Sequence, residues 1–282
     1  MSSVAQARSL LRRLGLRPRK GLGQHFLVDD GVLGRIVSAA ELNHQDAVVE
    51  VGPGLGMLTQ ELAKAAAQVI AIELDSQLTR ALEQILAPLS NVRIINADVL
   101  ALDPARLMAE YFPLSSQYKV AANLPYYITS PVLRHFLGAS HRPGLMVVMV
   151  QKEVAQAIVA SGGRASLLSL QVQFYGRPRI EGYVAARSFY PAPKVDSAIL
   201  RIDPYEEPPV TVPDEDGFFR VVTAGFAAPR KQLRNSLALG LGLPPGEVAG
   251  LLERVGIDPR RRPETLSLDE WARVWAEFSA IG

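Results

Sequence analysis

The sequence predicts an α/β protein with a mainly parallel sheet, an antiparallel addition at the sheet edge, and a small all-helical domain at the C-terminal end. Short apolar runs alternate with amphipathic stretches between residues 47 and 150. The pattern changes to that of two adjacent strands after residue 165, and helical periodicity alone follows the acidic, proline-rich stretch 203–209. Repeated strand–helix alternation is typical of a parallel sheet covered by helices on both faces.

The first half of the chain supplies the alternation in order. Apolar runs predict five strands, at residues 47–51, 69–72, 92–95, 119–122 and 145–150. Helical spacing of apolar residues predicts three helices among them, at residues 55–67, 76–87 and 130–137. Ser76 is a residue type that favours the N-cap of the second helix.

The second half predicts a different organisation. Residues 167–175 and 194–202 have the alternation of strands, and 177–183 joins them, which favours an antiparallel addition to the sheet edge. Stretch 203–209 is the best domain boundary. Beyond it we predict four helices, at residues 216–226, 230–238, 247–255 and 268–278. The expected domains are a basic N-terminal segment 1–28, an α/β domain 29–203 and a helical domain 210–282.

Composition excludes several classes of function. The 282 residues are 48% hydrophobic and 21% charged, which fits a folded protein with a sizeable core. No cysteine is present, which excludes disulfides, thiolate metal sites and cysteine nucleophiles and fits a cytoplasmic location. We expect no metal. The longest apolar run, 145–150, is far shorter than the roughly 20 residues of a membrane span, so we expect no membrane association.

Charge is distributed unevenly along the chain. Residues 1–28 carry six bases and no acid, and residues 29–123 carry six bases and twelve acids. Residues 124–202 are basic again, with nine bases and three acids. Two basic blocks that flank an acidic one are expected when one face of a protein meets a polyanion. Ordinary solvated surface charge, and for the first 20 residues an arginine-rich transit peptide, are the alternatives.

A glycine loop and two acids predict a site for an adenosine-containing ligand. The loop Gly52-Pro53-Gly54-Leu55-Gly56 follows a strand and opens a helix, where glycines let the backbone approach a ligand. Its spacing departs from the dinucleotide pattern G-x-G-x-x-G. Glu73, at the end of the second strand, can accept hydrogen bonds from two ribose hydroxyls, and Asp98 can accept one from an adenine amine. A helix N-cap or loop carboxylate is the alternative role of each acid.

The tetrapeptide Asn123-Leu124-Pro125-Tyr126 predicts the reacting site, because it emerges at the carboxyl end of the fourth strand. The Asn123 side-chain oxygen and the Leu124 carbonyl can accept both N–H groups of an adenine amine and so localise its lone pair. Pro125 makes the turn rigid, and Tyr126 offers a face for stacking. N-methylation of a planar amino group is the predicted chemistry, although Asn123 in isolation could equally cap the next helix.

Several motifs in this order resemble the KsgA family, which dimethylates two adjacent adenosines of small-subunit ribosomal RNA with S-adenosylmethionine. The resemblance extends over about residues 20–275. It rests on the segments 23–27, 50–54, 69–75, 123–126, 151–154, 189–197 and 230–237. It implies a Rossmann-like class I methyltransferase sheet and an RNA- or ribosome-binding role for the helical domain. The implied substrate is the 3′-terminal hairpin of the RNA within an assembling 30S-type subunit, and nothing demands more than a monomer.

The resemblance also implies roles for particular residues. His25 and Leu27 would line the cofactor pocket, Gly52 would lie beneath the methionine part, and Gly54 would belong to the same cofactor site. Glu73 would hold the ribose and Asp98 the adenine, while Asn123 would contact the cofactor as well as the base. Phe189 would stack on the target base opposite Tyr126. Lys231 and Arg234, three apart on a predicted helix, share a face that could bind phosphate, although an ordinary basic helix face has the same appearance.

Three other functions remain open at this stage. A nicotinamide-dependent oxidoreductase could use the same sheet and Glu73, but the glycine spacing opposes it. A related methyltransferase acting on large-subunit RNA would share most of the motifs. A ribosome-assembly factor without activity would keep the fold, but the intact Asn123 motif disfavours it.

Overall fold

The computed structural model describes residues 3–113, 117–160, 163 and 165–280. Its contacts divide the chain into two units. The first comprises residues 1–155 and 177–204, and the second comprises residues 156–176 and 205–282. The domain boundaries and roles expected from the sequence stay predictions. By contacts, residues 156–176, which lie within the expected α/β domain, group with the C-terminal unit.

Among the described residues, nine strands form two sheets. The strands are β1 (Phe26–Leu27), β2 (Ala47–Val51), β3 (Gln68–Glu73), β4 (Val92–Asn96), β5 (Lys119–Asn123), β6 (Leu145–Gln151), β7 (Gly176–Val184), β8 (Phe189–Tyr190) and β9 (Ser197–Pro204). Seven of them make the main sheet in the order β4-β3-β2-β5-β6-β9-β7, and β1 pairs with β8 in a small second sheet. Strands β2 to β6 run parallel, whereas β9 is antiparallel to β6. The predicted fold class is thereby confirmed.

The helices of the described residues follow the chain in order. They are α1 (Ser3–Arg13), α2 (Asp30–Ala39), α3 (Met57–Ala65), α4 (Ser76–Ile85), α5 (Pro104–Tyr111), α6 (Thr129–Leu137), α7 (Lys152–Val159), α8 (Leu167–Tyr175), α9 (Glu215–Gly225), α10 (Leu233–Leu241), α11 (Pro245–Arg254) and α12 (Leu268–Ser279). Short 3-10 helices lie at Lys20–Leu22, Val99–Ala101, Tyr126–Ile128, Ala186–Ser188 and Pro263–Thr265. Asp75, not Ser76, is the N-cap of α4, since its side chain accepts a hydrogen bond from the Gln77 N–H.

The central strands are apolar because both faces of the sheet are covered. Every residue of β2 is buried, and six of the seven residues of β6 are buried. Helix α2 is held at its start by Asp29, whose side chain accepts from the N–H groups of Gly31 and Val32. Because strands β2 to β6 pair in parallel, their carboxyl ends lie along one edge of the sheet.

One element differs in type from the prediction. Residues 167–175 form helix α8 instead of a strand, and the segment that was expected only to join two strands is β7. Ser166 and Ser169 form a reciprocal capping box at the start of α8, and the Gln173 amide donates to the carbonyls of Ile158 and Ala160. These contacts override an alternation of apolar and polar residues that is typical of a strand.

The second unit is helical and has its own apolar core. The Phe174 and Phe218 rings stack with centroids 5.3 Å apart, and Trp271 is fully buried against Phe226. In the part of the chain that the structure describes, no helix has the length and apolarity needed to cross a bilayer.

Candidate active site

A cleft in the first unit opens at the carboxyl ends of four parallel strands. Its walls are residues 50–55 from the end of β2 onward, 72–74 at the end of β3, 97–100 after β4 and 123–128 from the end of β5 onward, and residues 22–27, Met57, Leu58 and Leu78 complete it. Ligands of open α/β sheets bind at this edge. The ten predicted site residues that line this cleft are His25, Leu27, Gly52, Gly54, Glu73, Asp98, Asn123, Leu124, Pro125 and Tyr126.

The floor of the cleft is the glycine loop after β2. Gly52 and Gly54 have φ values of +69° and +60°, which glycine adopts readily. A Cβ on Gly54 would lie 2.9 Å from a ring carbon of Phe26, so the loop and the β1 segment approach closely only because Gly54 lacks a side chain. The sequence pattern therefore identified a loop whose backbone requires glycine.

The Glu73 carboxylate is held in the cleft by backbone donors. It is 7% exposed and accepts from the N–H of Asp75 at 2.9 Å and of Gly54 at 3.3 Å, one on each oxygen. Burial raises the pKa of this carboxyl, and these hydrogen bonds oppose the rise. Each carboxylate oxygen keeps a further acceptor position, so Glu73 can still receive two hydroxyl groups.

Asp98 combines a structural role with a place in the cleft. One oxygen of its side chain accepts from the Leu100 N–H at 3.0 Å and caps the short helix Val99–Ala101. Within the described residues its other oxygen accepts no hydrogen bond and can receive a donor. The cap alternative and the ligand role are thus compatible in one side chain.

Glu50 also lines the cleft and was not among the predicted site residues. It is 1% exposed, and within the described residues its Oε2 atom has no hydrogen-bond partner. Burial raises the pKa of Glu50 to about 8, the nearby Thr59 hydroxyl opposes the rise, and the neighbouring Glu73 carboxylate adds to it. The sequence could have indicated Glu50 as a site residue, because it is an acid inside the apolar run 47–51 and charged residues are almost never buried without a partner.

The Asn123 side chain is oriented by the segment that precedes β1. Its Nδ2 atom donates to the His25 carbonyl at 3.1 Å. A carbonyl oxygen only accepts, so the NH₂ group must face His25 and the Oδ1 atom must face the other way. The structure therefore fixes an acceptor at Oδ1 before any ligand is bound.

The residues after Asn123 continue this arrangement. The Leu124 N–H donates to the Met149 carbonyl at 3.2 Å, whereas the Leu124 carbonyl has no donor among the described residues. Tyr126 is anchored by its hydroxyl, which is 2.8 Å from Ser197 Oγ. Its ring stacks with that of His25, with centroids 6.0 Å apart and planes inclined by 24°.

His25 ties three segments together at the mouth of the site. Its Nδ1 atom lies 2.7 Å from the Pro191 carbonyl and must carry the proton of that hydrogen bond. The His25 carbonyl accepts a hydrogen bond from Asn123 Nδ2, and the His25 ring stacks with the Tyr126 ring. The sequence placed His25 in the cleft without indicating which contacts it makes.

Phe189, the remaining residue of the predicted reacting site, does not line the cleft but lies in the apolar core. Its side chain is 3% exposed, faces Leu27 between β8 and β1, and belongs to the same apolar core as Ile36 and Val184. Within the described residues the ring facing Tyr126 is His25. The stacking role of Phe189 stays a prediction, and it requires the ring to leave this core.

The two predicted phosphate-binding residues do not share a helix face. Helix α10 begins at Leu233, so Lys231 lies in the preceding turn and is exposed, while Arg234 is half-buried on the helix. The common face expected from a helix over 230–238 is therefore wrong, because the helix starts three residues later. A role of each residue in RNA binding is untouched by this correction.

The fold and the cleft define an α/β enzyme of the Rossmann-like methyltransferase class, with an acceptor-lined edge suited to an adenosine-containing ligand. The chain matches the family model described as "Ribosomal RNA adenine dimethylase" over residues 15–279, and it belongs to that family. The family resemblance seen in the sequence is confirmed.

Individual relatives cover nearly the whole chain. A "Ribosomal RNA small subunit methyltransferase A" of Dehalococcoides mccartyi is 50% identical over 270 residues, which are 96% of this chain and 91% of the relative. The protein of the same name from Pelotomaculum thermopropionicum is 46% identical over 291 residues, covering 100% and 98% of the two chains.

Two solved structures share the fold. The 23S rRNA methyltransferase ErmE is 28% identical, with a TM-score of 0.67 over 90% of this chain and 99% of that one. A dimethyladenosine transferase from Plasmodium falciparum is 24% identical, with a TM-score of 0.73 over 91% and 98%, and it supports the fold alone.

Proposed function

We propose that this protein transfers methyl groups from S-adenosylmethionine to N6 of two adjacent adenosines in the 3′-terminal hairpin of small-subunit ribosomal RNA. The products are dimethyladenosines. The substrate is the RNA within an assembling 30S-type subunit, and the protein acts as a monomer in the cytoplasm. Family membership and names of relatives support the reaction class, while the hairpin, the assembling particle, the monomeric state and the location are the proposal's finer parts.

The orientation of the Asn123 amide is the observation that carries the proposal. An adenine amine is a weak nucleophile because its lone pair is delocalised into the ring. The outward Oδ1 of Asn123 and the unused carbonyl of Leu124 are two acceptors for its two N–H groups. Acceptors held in place before the reaction favour the charge that develops on nitrogen, at no cost in reorganisation.

The cleft also fits S-adenosylmethionine, which supplies an activated methyl group when bound. Within the described residues the buried Oε2 atom of Glu50 has no hydrogen-bond partner, and the ionised carboxylate would attract the cationic methionine part. Glu73 keeps two acceptor positions for the ribose, and Asp98 keeps one for the adenine. His25, Leu27, Gly52, Gly54 and Asn123 would complete the cofactor site.

In this proposal both the helical domain and the cleft of the first unit bind RNA. Lys231 and Arg234 would contact phosphate from the helical domain, residues 210–282. Tyr126 would stack on the target adenine, with Phe189 as a second ring if it leaves the core. Pro125 contributes rigidity because its ring fixes φ, and the ring lies 3.5 Å from the position that a Cβ on Gly52 would occupy.

Mass spectrometry of ribosomal RNA tests the reaction. Assembling small subunits and large subunits that lack methyl groups at the target sites are incubated with the protein and S-adenosylmethionine. We expect two dimethyladenosines in the small-subunit hairpin only. Dimethyladenosine in large-subunit RNA alone would refute the proposal and favour the activity named for ErmE.

Replacement of Asn123 tests the mechanism. We expect Asn123→Ala to lower kcat about 100-fold or more, the usual cost of losing one preorganised polar group, with RNA binding unchanged. Asn123→Asp should be similarly inactive, because a carboxylate cannot donate to the His25 carbonyl. Asn43→Ala is the matched control, since among the described residues the Asn43 side chain bonds only within its own turn, donating to Asp46 and accepting from the Gln45 N–H. Equal loss of RNA binding and transfer in Asn123→Ala would make the residue structural.

A further inference from the structure

The N-terminal helix α1 is an amphipathic element whose apolar side is already used. Ala7 and Leu11 are 5% and 3% exposed, and they pack with Phe26, Leu55 and Leu78. Those three partners also line the cleft. Helix α1 is therefore fixed directly behind the wall of the candidate active site.

The outward side of α1 carries positive charge. Arg8, Arg12 and Arg13 are exposed, and no acid occurs in residues 1–28 to neutralise them. Among the described residues, Arg12 and Arg13 form no ion pair. The Arg8 guanidinium lies over the Tyr190 ring, 4.9 Å from its centroid, which fixes one edge of this face.

The segment after α1 is fastened to the cleft as well. Arg19 pairs with the buried Asp75 at 3.2 Å, and the Gln24 amide donates to the same carboxylate at 3.1 Å. Asp75 in turn donates its N–H to Glu73 inside the cleft. The basic face of α1 is thus held at a defined distance from the cofactor-binding edge.

We propose that the α1 basic face, Arg8, Arg12 and Arg13, binds phosphate groups of the RNA substrate. The inference rests on the proposed function, which supplies a polyanion to this unit of the protein. Arginine side chains are suited to phosphate, and such contacts set the register of an RNA without reading its sequence. A membrane is a poorer partner, because the apolar side that would enter it is buried against the protein.

The salt dependence of RNA binding tests this inference. The double variant Arg12→Gln, Arg13→Gln keeps good helix formers at both positions. Its affinity for a small-subunit RNA hairpin is measured between 50 and 300 mM salt. Each phosphate contact contributes about 0.7–0.9 to the slope of log K against log salt, so we expect the slope to fall by about 1.4–1.8.

A matched control separates this effect from general charge loss. Arg80→Gln, Arg106→Gln removes two exposed arginines from α4 and α5 of the same unit and should leave the slope unchanged. S-adenosylhomocysteine affinity and thermal melting should be the same in all three proteins. The inference fails if the slope of the α1 variant equals that of the wild type, or if the control lowers it equally.

Two further outcomes would overturn the inference while leaving the proposed function intact. If the α1 variant loses S-adenosylhomocysteine binding or melts earlier, the arginines stabilise the helix, for example through its C-terminal dipole. If the arginines govern binding to vesicles of anionic phospholipid and not to RNA, the partner is a membrane. The methylated positions found by mass spectrometry test the proposed function separately.

Discussion

The buried carboxyl of Glu50 predicts that the stability of the first unit falls as pH rises. In the unfolded chain this carboxyl has its ordinary pKa of 4.5, and burial raises the pKa in the folded protein to about 8. At pH 7 about nine-tenths of the folded molecules therefore carry a protonated Glu50. The folded state holds the proton more tightly than the unfolded state, so the contribution is fully present below pH 4.5 and is lost as pH rises towards 8.

The replacement Glu50→Gln isolates this contribution, because glutamine has nearly the same shape and does not titrate. Each pKa unit corresponds to about 1.4 kcal/mol, so the interval from 4.5 to about 8 predicts a difference of about 4–5 kcal/mol. We expect the variant to become progressively more stable than the wild type between pH 5 and pH 8. Above pH 8 the difference should level off.

Urea unfolding at five pH values, followed by far-UV circular dichroism, measures this difference. Tryptophan fluorescence is unsuitable, because Trp271 and Trp275 are the only tryptophans and both belong to the second unit. Glu83→Gln, the same change on an exposed position of α4, should show no such trend. A difference between Glu50→Gln and wild type that stays constant from pH 5 to pH 9 would refute the reasoning, since Glu50 would then be ionised in the folded protein.

The same carboxyl links cofactor binding to proton release. A cation entering the cleft favours ionised Glu50, so binding of S-adenosylmethionine at pH 7 should release up to about 0.9 proton. Calorimetry in two buffers of different ionisation enthalpy counts the protons. Glu50→Gln should release almost none, and equal release by both proteins would assign the proton to another group.

Two further changes have contrasting expected outcomes. Gly225→Ala should destabilise the second unit by several kcal/mol, since the new Cβ would lie 2.2 Å from the Trp271 ring, whereas Gly246→Ala meets nothing within 4 Å and should be neutral or stabilising by up to about 1 kcal/mol. Thermal melting by tryptophan fluorescence compares the two. Tyr127 lines the cleft and is 55% exposed, so its ring should cover part of a bound adenosine. We expect Tyr127→Ala to weaken S-adenosylhomocysteine binding about fivefold to tenfold. Tyr183 is 51% exposed and does not line the cleft, so Tyr183→Ala should leave the affinity unchanged. Equal affinities in calorimetry would place Tyr127 outside the cofactor site.

The sequence predicted the parallel strands and the cleft because their signals are local. An apolar run such as 145–150 predicts a strand without any information about the residues that pack on it. A glycine loop between a strand and a helix is typical of a ligand-binding loop. Since parallel strands end at one edge, the residues after β2, β3, β4 and β5 had to converge. Ten of the predicted site residues line one cleft for this reason.

The failures came from contacts that are distant in sequence. Residues 167–175 alternate like a strand, but the capping box at Ser166 and the stacking of Phe174 on Phe218 favour a helix. The start of α10 at Leu233 depends on hydrogen bonds from the N–H groups of Leu233 and Arg234 to the Arg261 and Pro259 carbonyls. No local pattern in 230–238 reports those partners.

The placement of Asn123 depends both on a local sequence pattern and on contacts that are distant in sequence. Its place at the end of β5 follows from local pattern, but its orientation depends on the His25 carbonyl, almost 100 residues earlier in the chain. The ring of His25 is held in turn by the Pro191 carbonyl, and Ala7 and Leu11 of α1 pack with Phe26, the next residue. An element far from Asn123 in sequence therefore sets the direction of its side-chain acceptor. Changes in the N-terminal segment that disturb the His25 carbonyl should consequently lower transfer even when every residue of 123–126 is intact.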